Sequence, residues 1–168
     1  MDVVAPNTEF SFKNAEISDL EFICQEILAG ASKGHFSEFF LTPEGAKGLR
    51  LNLVSILTNN RRLDADQPAY GIIYHREGKP VGFMINSSIQ GNTGTELWMM
   101  GITEKYKGRG HGSALLNEIM GHMSGYKGAI MARCFPASDI MYQMLLKHGL
   151  KHEQTGENGT RCLVKYSG

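Results

Sequence analysis

Three cysteines are all that this chain of 168 residues carries, at Cys24, Cys134 and Cys162. An odd number at those distances sets no disulfide framework and has no metal-ligand spacing. Cys134 and Cys162 sit in apolar, strand-like runs and read as small core residues. Long apolar runs are also missing, so no segment is expected to span a bilayer. Met1 to Asn7 lack the basic start and apolar centre of a secretory leader, and a cytoplasmic location is expected. Nor is there an excess of charge of either sign, since Lys+Arg and Asp+Glu are both 17. That balance argues against broad electrostatic capture of nucleic acid and leaves only a local patch at Arg50, Arg61 and Arg62.

What is present is ordinary for one globular domain: 42% hydrophobic and 20% charged residues, without repeats or low-complexity segments. A chain of this length buries a substantial core, so residues 1–168 are read as a single domain. Phe10 and Phe12 alternate in an edge strand over Glu9–Lys13. Ser18-Asp19 caps a helix bearing Leu20, Ile23, Cys24 and Ile27, with Ser18 and Glu21 as a capping box and a stop near Gly30. A loop over Gly34–Phe40 leads to Thr42-Pro43-Glu44, which opens a second helix carrying Leu49, Leu53, Ile56 and Leu57. Strands are expected at Ala69–Tyr74, Pro80–Ser87, Glu96–Ile102, Ala129–Phe135, Lys151–Gln154 and Arg161–Tyr166. A further helix spans Ser138–His148 and ends at Gly149.

The segment between the strand at Glu96 and the helix bearing Leu115, Leu116 and Ile119 is the most informative. It holds three glycines at alternate positions, Gly108, Gly110 and Gly112, with Lys107 and Arg109 between and before them. Glycines let a backbone bend tightly and approach a ligand. The helix start that follows offers unpaired N–H groups and the positive end of a dipole, which together suit phosphate or pyrophosphate. The Walker A spacing does not fit these glycines. The dinucleotide fingerprint fails as well, because the third glycine comes one residue early and Glu118 lies too close. A purely structural turn is the plain alternative.

Ile102 to Leu116 resembles motif A of the GNAT superfamily of N-acetyltransferases, whose loop reads Arg/Gln-x-x-Gly-x-Gly/Ala. Here it reads Lys107-Gly108-Arg109-Gly110-His111-Gly112, preceded by Tyr106 and followed by Ser113-Ala114-Leu115-Leu116. Lys107 departs from the usual Arg or Gln. The expected element order β-α-α-β-β-β-α-β-α-β-β is also that of the superfamily. The resemblance implies a mixed, mostly antiparallel central sheet flanked by helices and splayed at a coenzyme site. It implies acetyl-CoA as co-substrate, with no metal. Lys107, Gly108, Arg109, Gly110, His111, Gly112 and Ser113 would hold its pyrophosphate, and Met100, Gly101 and Ile102 its pantetheine arm and thioester. Transfer would be direct to a primary amine, in a ternary complex.

Such chemistry needs a base for the ammonium proton, a donor for the oxyanion and stabilisation of the thiolate. Glu96 lies six residues before Ile102, where the histone-acetyltransferase branch carries its catalytic glutamate. In an unbroken strand, residues 96, 98, 100 and 102 share one face; a bulge would change that parity. An exposed carboxylate at a strand start is the plain reading of Glu96, as a solvated charge is of Glu104. The family's acid is a tyrosine four residues before a Gly-Phe pair. Counting back from Gly149-Leu150 gives Leu145, and Tyr142 lies one turn away as either a substitute acid or a packing residue. Ser138 is either a coenzyme contact or the helix cap, with the cap preferred. His111 is expected to offer its backbone N–H and not its ring.

His35 or Glu38, beside Phe36, Phe39 and Phe40, forms either an acceptor site for an amine or core packing. A non-catalytic acyl-CoA sensor is the rival class, since the family's tyrosine is missing. A toxin-like acetyltransferase acting on aminoacyl-tRNA fits the charge balance less well. The acceptor's identity stays open, as does a homodimer; no membrane partner is expected.

Overall fold

The computed structural model describes residues 10–89, 91 and 93–166. Glu9, the first residue of the expected edge strand, lies outside them. Among the described residues seven strands form one sheet in the order β1-β2-β3-β4-β5-β7-β6. They are β1 (Phe10–Asn14), β2 (Ala69–Arg76), β3 (Lys79–Ser88), β4 (Gly94–Ile102), β5 (Ala129–Cys134), β6 (Lys151–Thr155) and β7 (Arg161–Lys165). All neighbours pair antiparallel except β4 and β5, which run parallel. Among the described residues four α-helices flank the sheet: α1 (Leu20–Ser32), α2 (Pro43–Asn59), α3 (His111–His122) and α4 (Asp139–Lys147).

Alternating strand residues divide the apolar side chains between two cores. Leu20, Ile23 and Ile27 of α1 and Leu49, Leu53 and Ile56 of α2 meet Ile73, Phe83, Ile85 and Met99 on one face. Leu115, Leu116 and Ile119 of α3 and Leu145 of α4 meet Met84, Leu97, Ile102, Ala132 and Leu163 on the other. Ile23, Ile27, Leu115 and Leu116 are fully buried, each contributing roughly 1.5–3 kcal/mol.

Several local details differ from expectation, among them a 3₁₀ turn at Glu38–Leu41 at the end of the expected loop and three features of α1 and β4. A short 3₁₀ turn, Ile17–Asp19, precedes α1, and Asp19 accepts a hydrogen bond from the Glu16 N–H at 2.8 Å. That bond takes the place of the expected Ser18–Glu21 capping box. The helix also runs past Gly30 to Ser32. Gly30 is there for space: a Cβ would lie 2.6 Å from the Phe36 ring, and the chain turns instead at Gly34, with φ +84°. At α2 the expectation and the structure coincide, for the Thr42 hydroxyl accepts from the Gly45 N–H at 3.0 Å.

The difference in β4 bears on chemistry. Met99 pairs with Ile85 and Leu97 with Asn86, so Trp98 is an extra residue in β4. Such a bulge rotates the strand and reverses which face alternate residues occupy. Leu97 and Ile102 therefore join the core under α3 while Met99 joins the one under α1. Residues 96, 98, 100 and 102 do not share a face. Glu96 points to the α1/α2 side, and Met100 and Ile102 to the α3/α4 side.

Candidate active site

β4 and β5 pair only at Gly94–Ala129, Thr95–Ile130 and Glu96–Met131. Beyond that rung the strands part, and β4 keeps β3 alone as its neighbour as far as Ile102. The Thr103 N–H donates to the Val81 carbonyl at 2.8 Å, on the β3 side. Two-residue alternation then turns the backbone of Gly101 to β3 and leaves the N–H and C=O groups of Met100 and Ile102 facing the gap. A cleft of about 470 Å³ occupies the split and runs on to the glycine turn. A second hollow of about 550 Å³ lies elsewhere, beside Ile89, Met131, Cys162 and Val164. It touches neither the turn nor the free edge of β4, so the cleft in the split is the functional candidate.

The turn is built by backbone conformation. Gly108 and Gly110 have φ of +74° and +83°, and no atom would obstruct a Cβ at either. The left-handed backbone is therefore what calls for glycine at both positions. Gly110 is the N-cap of α3, so the first free N–H groups of that helix follow directly. The His111 ring leaves the cleft and packs among Phe10, Tyr74 and Tyr106, with centroids at 4.6, 5.6 and 5.5 Å. The Tyr74 hydroxyl hydrogen-bonds its Nδ1 at 3.0 Å. Burial, and then Arg109 and Arg76, push the His111 pKa down. An aromatic box thus anchors the first residue of the helix and holds the turn in place.

Two contacts cross the cleft. His35, in the turn after α1, meets Ser138 through a 2.8 Å hydrogen bond between Nδ1 and Oγ. Ser138 is the N-cap of α4 by position, as expected, but its hydroxyl makes no capping bond and meets His35 instead. Lys33 at the end of α1 reaches Glu104 at 2.7 Å, and Lys107 reaches the same carboxylate at 3.3 Å. These lysines, by hydrogen bonding first, hold the Glu104 carboxyl below the usual range. Glu104 is thus tied at the mouth between two cations.

Among the residues expected at a coenzyme site, Met100, Gly101, Ile102, Lys107, Gly108, Gly110, Gly112 and Ser113 line the cleft, whereas Arg109 and His111 do not. Glu96 is buried at 5% exposure, and Arg133 takes both its oxygens, Nε to Oε2 at 2.9 Å and the terminal nitrogen to Oε1 at 3.0 Å. Arg133 lines the cleft; Glu96 stands behind it. The Tyr142 hydroxyl turns to His152 at 3.0 Å, and Arg161 covers its ring at 4.1 Å. Of the three phenylalanines, Phe36 lines the cleft, Phe40 packs on the α1/α2 core and Phe39 is exposed. Glu38 is exposed.

Sequence reasoning overlooked Glu26, Ala29, Gly30 and Lys33, which line the cleft together. Their i, i+3, i+4, i+7 spacing on α1 was a visible signal, with small residues in the centre of the face. Burial raises the Glu26 pKa, partly offset by Lys107 and Lys33. Arg133 and Cys134 were overlooked as well; burial pushes the Cys134 thiol up to about 11. Among the described residues no group of three His, Cys, Asp or Glu is placed to hold a metal. No helix among them is long and apolar enough to cross a membrane.

Strand order, the parting of β4 from β5 and the glycine turn define an N-acetyltransferase fold. The sequence profile of the acetyltransferase (GNAT) family matches residues 36–150, more than half of the chain, and the chain belongs to that family. No curated protein sequence matches it. Among solved structures it is similar to the PaiA N-acetyltransferase from Thermoplasma acidophilum in complex with coenzyme A. That pair has a TM-score of 0.71 at 15% identity, over 95% of this chain and 100% of the other. It is also similar to a ribosomal-protein-S5-alanine acetyltransferase from Vibrio fischeri, with a TM-score of 0.64, 20% identity and 98% and 97% of the two chains covered. A ribosomal L7/L12 α-N-protein acetyltransferase in complex with coenzyme A gives 0.67 at 12% identity, over 98% of each chain. At these identities the likeness establishes the fold.

Proposed function

We propose that the protein transfers an acetyl group from acetyl-CoA to a primary amine. The observation that carries this reading is the unpaired edge of β4 leading into the left-handed turn at the start of α3. Free amide groups at Met100 and Ile102 suit the amide-rich pantetheine arm, and the amides after Gly110 suit a diphosphate. Lys107, which lines the cleft, supplies a cation beside it. Family membership and the coenzyme complexes of two structural neighbours support the choice of ligand.

Transfer is direct. Cys134 is the thiol lining the cleft, but with a pKa of about 11 it holds almost no thiolate near neutral pH, and the thiolate is the nucleophile. The amine nitrogen attacks the thioester carbonyl, a backbone N–H at the β4 edge stabilises the oxyanion, and the C–S bond breaks with its electrons on sulfur. A coenzyme thiol of ordinary acidity, near ~8.5, departs without full protonation in the same step. Glu96 serves this site by orienting Arg133, since both its oxygens are engaged. Nucleic acid is not favoured as acceptor: Arg50, Arg61 and Arg62 pair with Glu21, Asp66 and Asp64. A cytoplasmic setting, where acetyl-CoA is made and used, fits this chemistry.

A sensor that binds acyl-CoA without turnover is favoured by one observation, the apolar Leu145 where the family places its acid, with Tyr142 turned away. Following free thiol while the protein meets acetyl-CoA and a panel of primary amines separates the two. Amine-dependent thiol release supports transfer; coenzyme binding without release supports the sensor.

A further inference from the structure

The engagement of both Glu96 oxygens by Arg133 leaves the proton of the incoming ammonium without an assigned acceptor. The groups lining the cleft that can accept one are few. Glu104 is bound to Lys33 and Lys107, and its carboxyl is held low. Cys134 is a buried thiol. Glu26 has charged company at Lys107, Lys33 and Glu104, toward the mouth where the diphosphate would enter.

His35 differs from all of these in its placement. Gly34, at φ +84°, brings the turn after α1 against the bend before α4, where a Cβ on Gly34 would lie 3.2 Å from the Ala137 Cβ. The imidazole, half-buried, spans from one bank of the split to the other and is pinned through Nδ1 to Ser138. Its other nitrogen, Nε2, makes no hydrogen bond among the described residues, and the ring lines the cleft with Trp98, Met100 and Arg133. A ring fixed at one nitrogen and open at the other, over the gap where the thioester would lie, has the geometry of a positioned base.

We propose that His35 is the general base of this site, with Ser138 as its positioning residue. This rests on the acetyl-transfer reading above. Nδ1–H donates to the Ser138 hydroxyl oxygen, and the lone pair on Nε2 takes a proton from the ammonium group. The freed amine forms the C–N bond and the C–S bond breaks, its electron pair leaving with sulfur. The second nitrogen proton goes through Nε2 to the thiolate, and the first passes to water. One ammonium ion and one thioester thus become one amide, one thiol and one released proton.

The charges facing His35 favour the neutral ring. Burial lowers its pKa from 6.5, and Lys107 and Lys33 add to the effect. From the other elements Glu26, Glu104 and Arg133 face the same cleft, Glu104 already neutralised by the lysines and Arg133 by Glu96. Near neutral pH the imidazole is therefore unprotonated, as a base must be. Activity should fall on acidification only as pH drops below the ordinary histidine range.

The test combines His35→Gln, His35→Ala and Glu26→Gln with the wild-type protein. Thiol release is followed from pH 5 to 9 and acetyl-CoA affinity by calorimetry, each with one amine that supports turnover. The expected result for His35→Gln is a fall in kcat of about 100-fold or more, loss of the acidic limb, and acetyl-CoA affinity within about twofold of wild type. Added imidazole should restore part of the rate to His35→Ala, which a merely structural role would not allow. Nitrogen chemical shifts of the wild-type protein should show the proton on Nδ1. Turnover that survives His35→Gln with an unchanged pH profile, or transfer of that loss to Glu26→Gln, overturns the inference while leaving acetyl transfer standing. A proton found on Nε2 overturns it too. Wild-type protein that binds acetyl-CoA and releases no thiol with any amine defeats the transfer reading, and this inference with it.

Discussion

Glu96 and Arg133 form a two-pronged ion pair on the last rung that joins β4 to β5, at 2.9 and 3.0 Å. Glu96 pairs with Met131 in the sheet, and past that point the strands separate. The carboxylate is buried while the Arg133 side chain is about half exposed to the cleft. One ion pair thus marks where the sheet ends as a sheet and begins as a site. Hydrogen bonding to Glu96 raises the Arg133 pKa, so the guanidinium stays charged throughout any useful pH range.

Glu96→Gln removes one charge and leaves Arg133 with a neutral partner. Hydrogen bonds to charged groups contribute ~1.5–3 kcal/mol, and a stability loss of that size is expected by denaturant unfolding. Turnover should fall without a change in the pH profile. A variant as stable as wild type that has lost its acidic limb would make Glu96 the base after all.

Gly110→Val places a β-branched residue at φ +83° in open space. Its cost is conformational, about 1–2 kcal/mol for the left-handed region, and it distorts the amides that precede α3. Acetyl-CoA affinity should drop at least about tenfold by calorimetry. Gly121→Ala, in the same helix with no atom near its Cβ position, is the matched control and should leave affinity unchanged.

Glu104→Gln frees Lys33 and Lys107 from their shared carboxylate. Coenzyme affinity should rise roughly 2–5-fold at low salt, the scale of exposed ion pairs, and the gain should vanish as salt is added. A weaker affinity would show that Glu104 shapes the mouth directly.

His111 gives a pH-dependent stability. Its neutral form is favoured when folded, with a pKa below the 6.5 of an unperturbed histidine. Between the two values the unfolded chain binds more protons, so stability is complete above pH ~6.5 and falls as pH drops toward the folded pKa. His111→Phe, which keeps the ring among Phe10, Tyr74 and Tyr106, should reduce that slope in Tm against pH. An unchanged slope would assign it to other groups, with His35 the first to check.

Cys134→Ser should retain turnover, and iodoacetamide should label the wild-type thiol slowly at pH 7. A pKa of about 11 leaves roughly one thiolate in ten thousand at that pH. Burst release of one equivalent of thiol before amine is added would instead reveal an acyl-cysteine.

The glycine turn and the element order were legible in the sequence because both rest on local rules. Gly108 and Gly110 announce a backbone that only glycine adopts cheaply, and Thr42-Pro43 announces a helix start. The bulge at Trp98 was not legible: nothing in ELWMMGI distinguishes a regular strand from one with an extra residue, and the pairing with Asn86 and Ile85 decides it. Contacts between distant segments were equally hidden. His35 and Ser138 are 103 residues apart in the chain, and Glu96 and Arg133 are 37 apart. Tyr142 shows the same limit, for helical spacing gave its face but not that its hydroxyl reaches His152 on β6.

The central claim is tested most directly by a crystal structure of the protein with coenzyme A. The expected result is a diphosphate within hydrogen-bond distance of backbone nitrogens between Gly108 and Ser113, with the pantetheine arm along Met100 to Ile102 in the gap between β4 and β5. A coenzyme bound in the hollow beside Met131 and Cys162, or a gap that stays closed to it, would contradict the account.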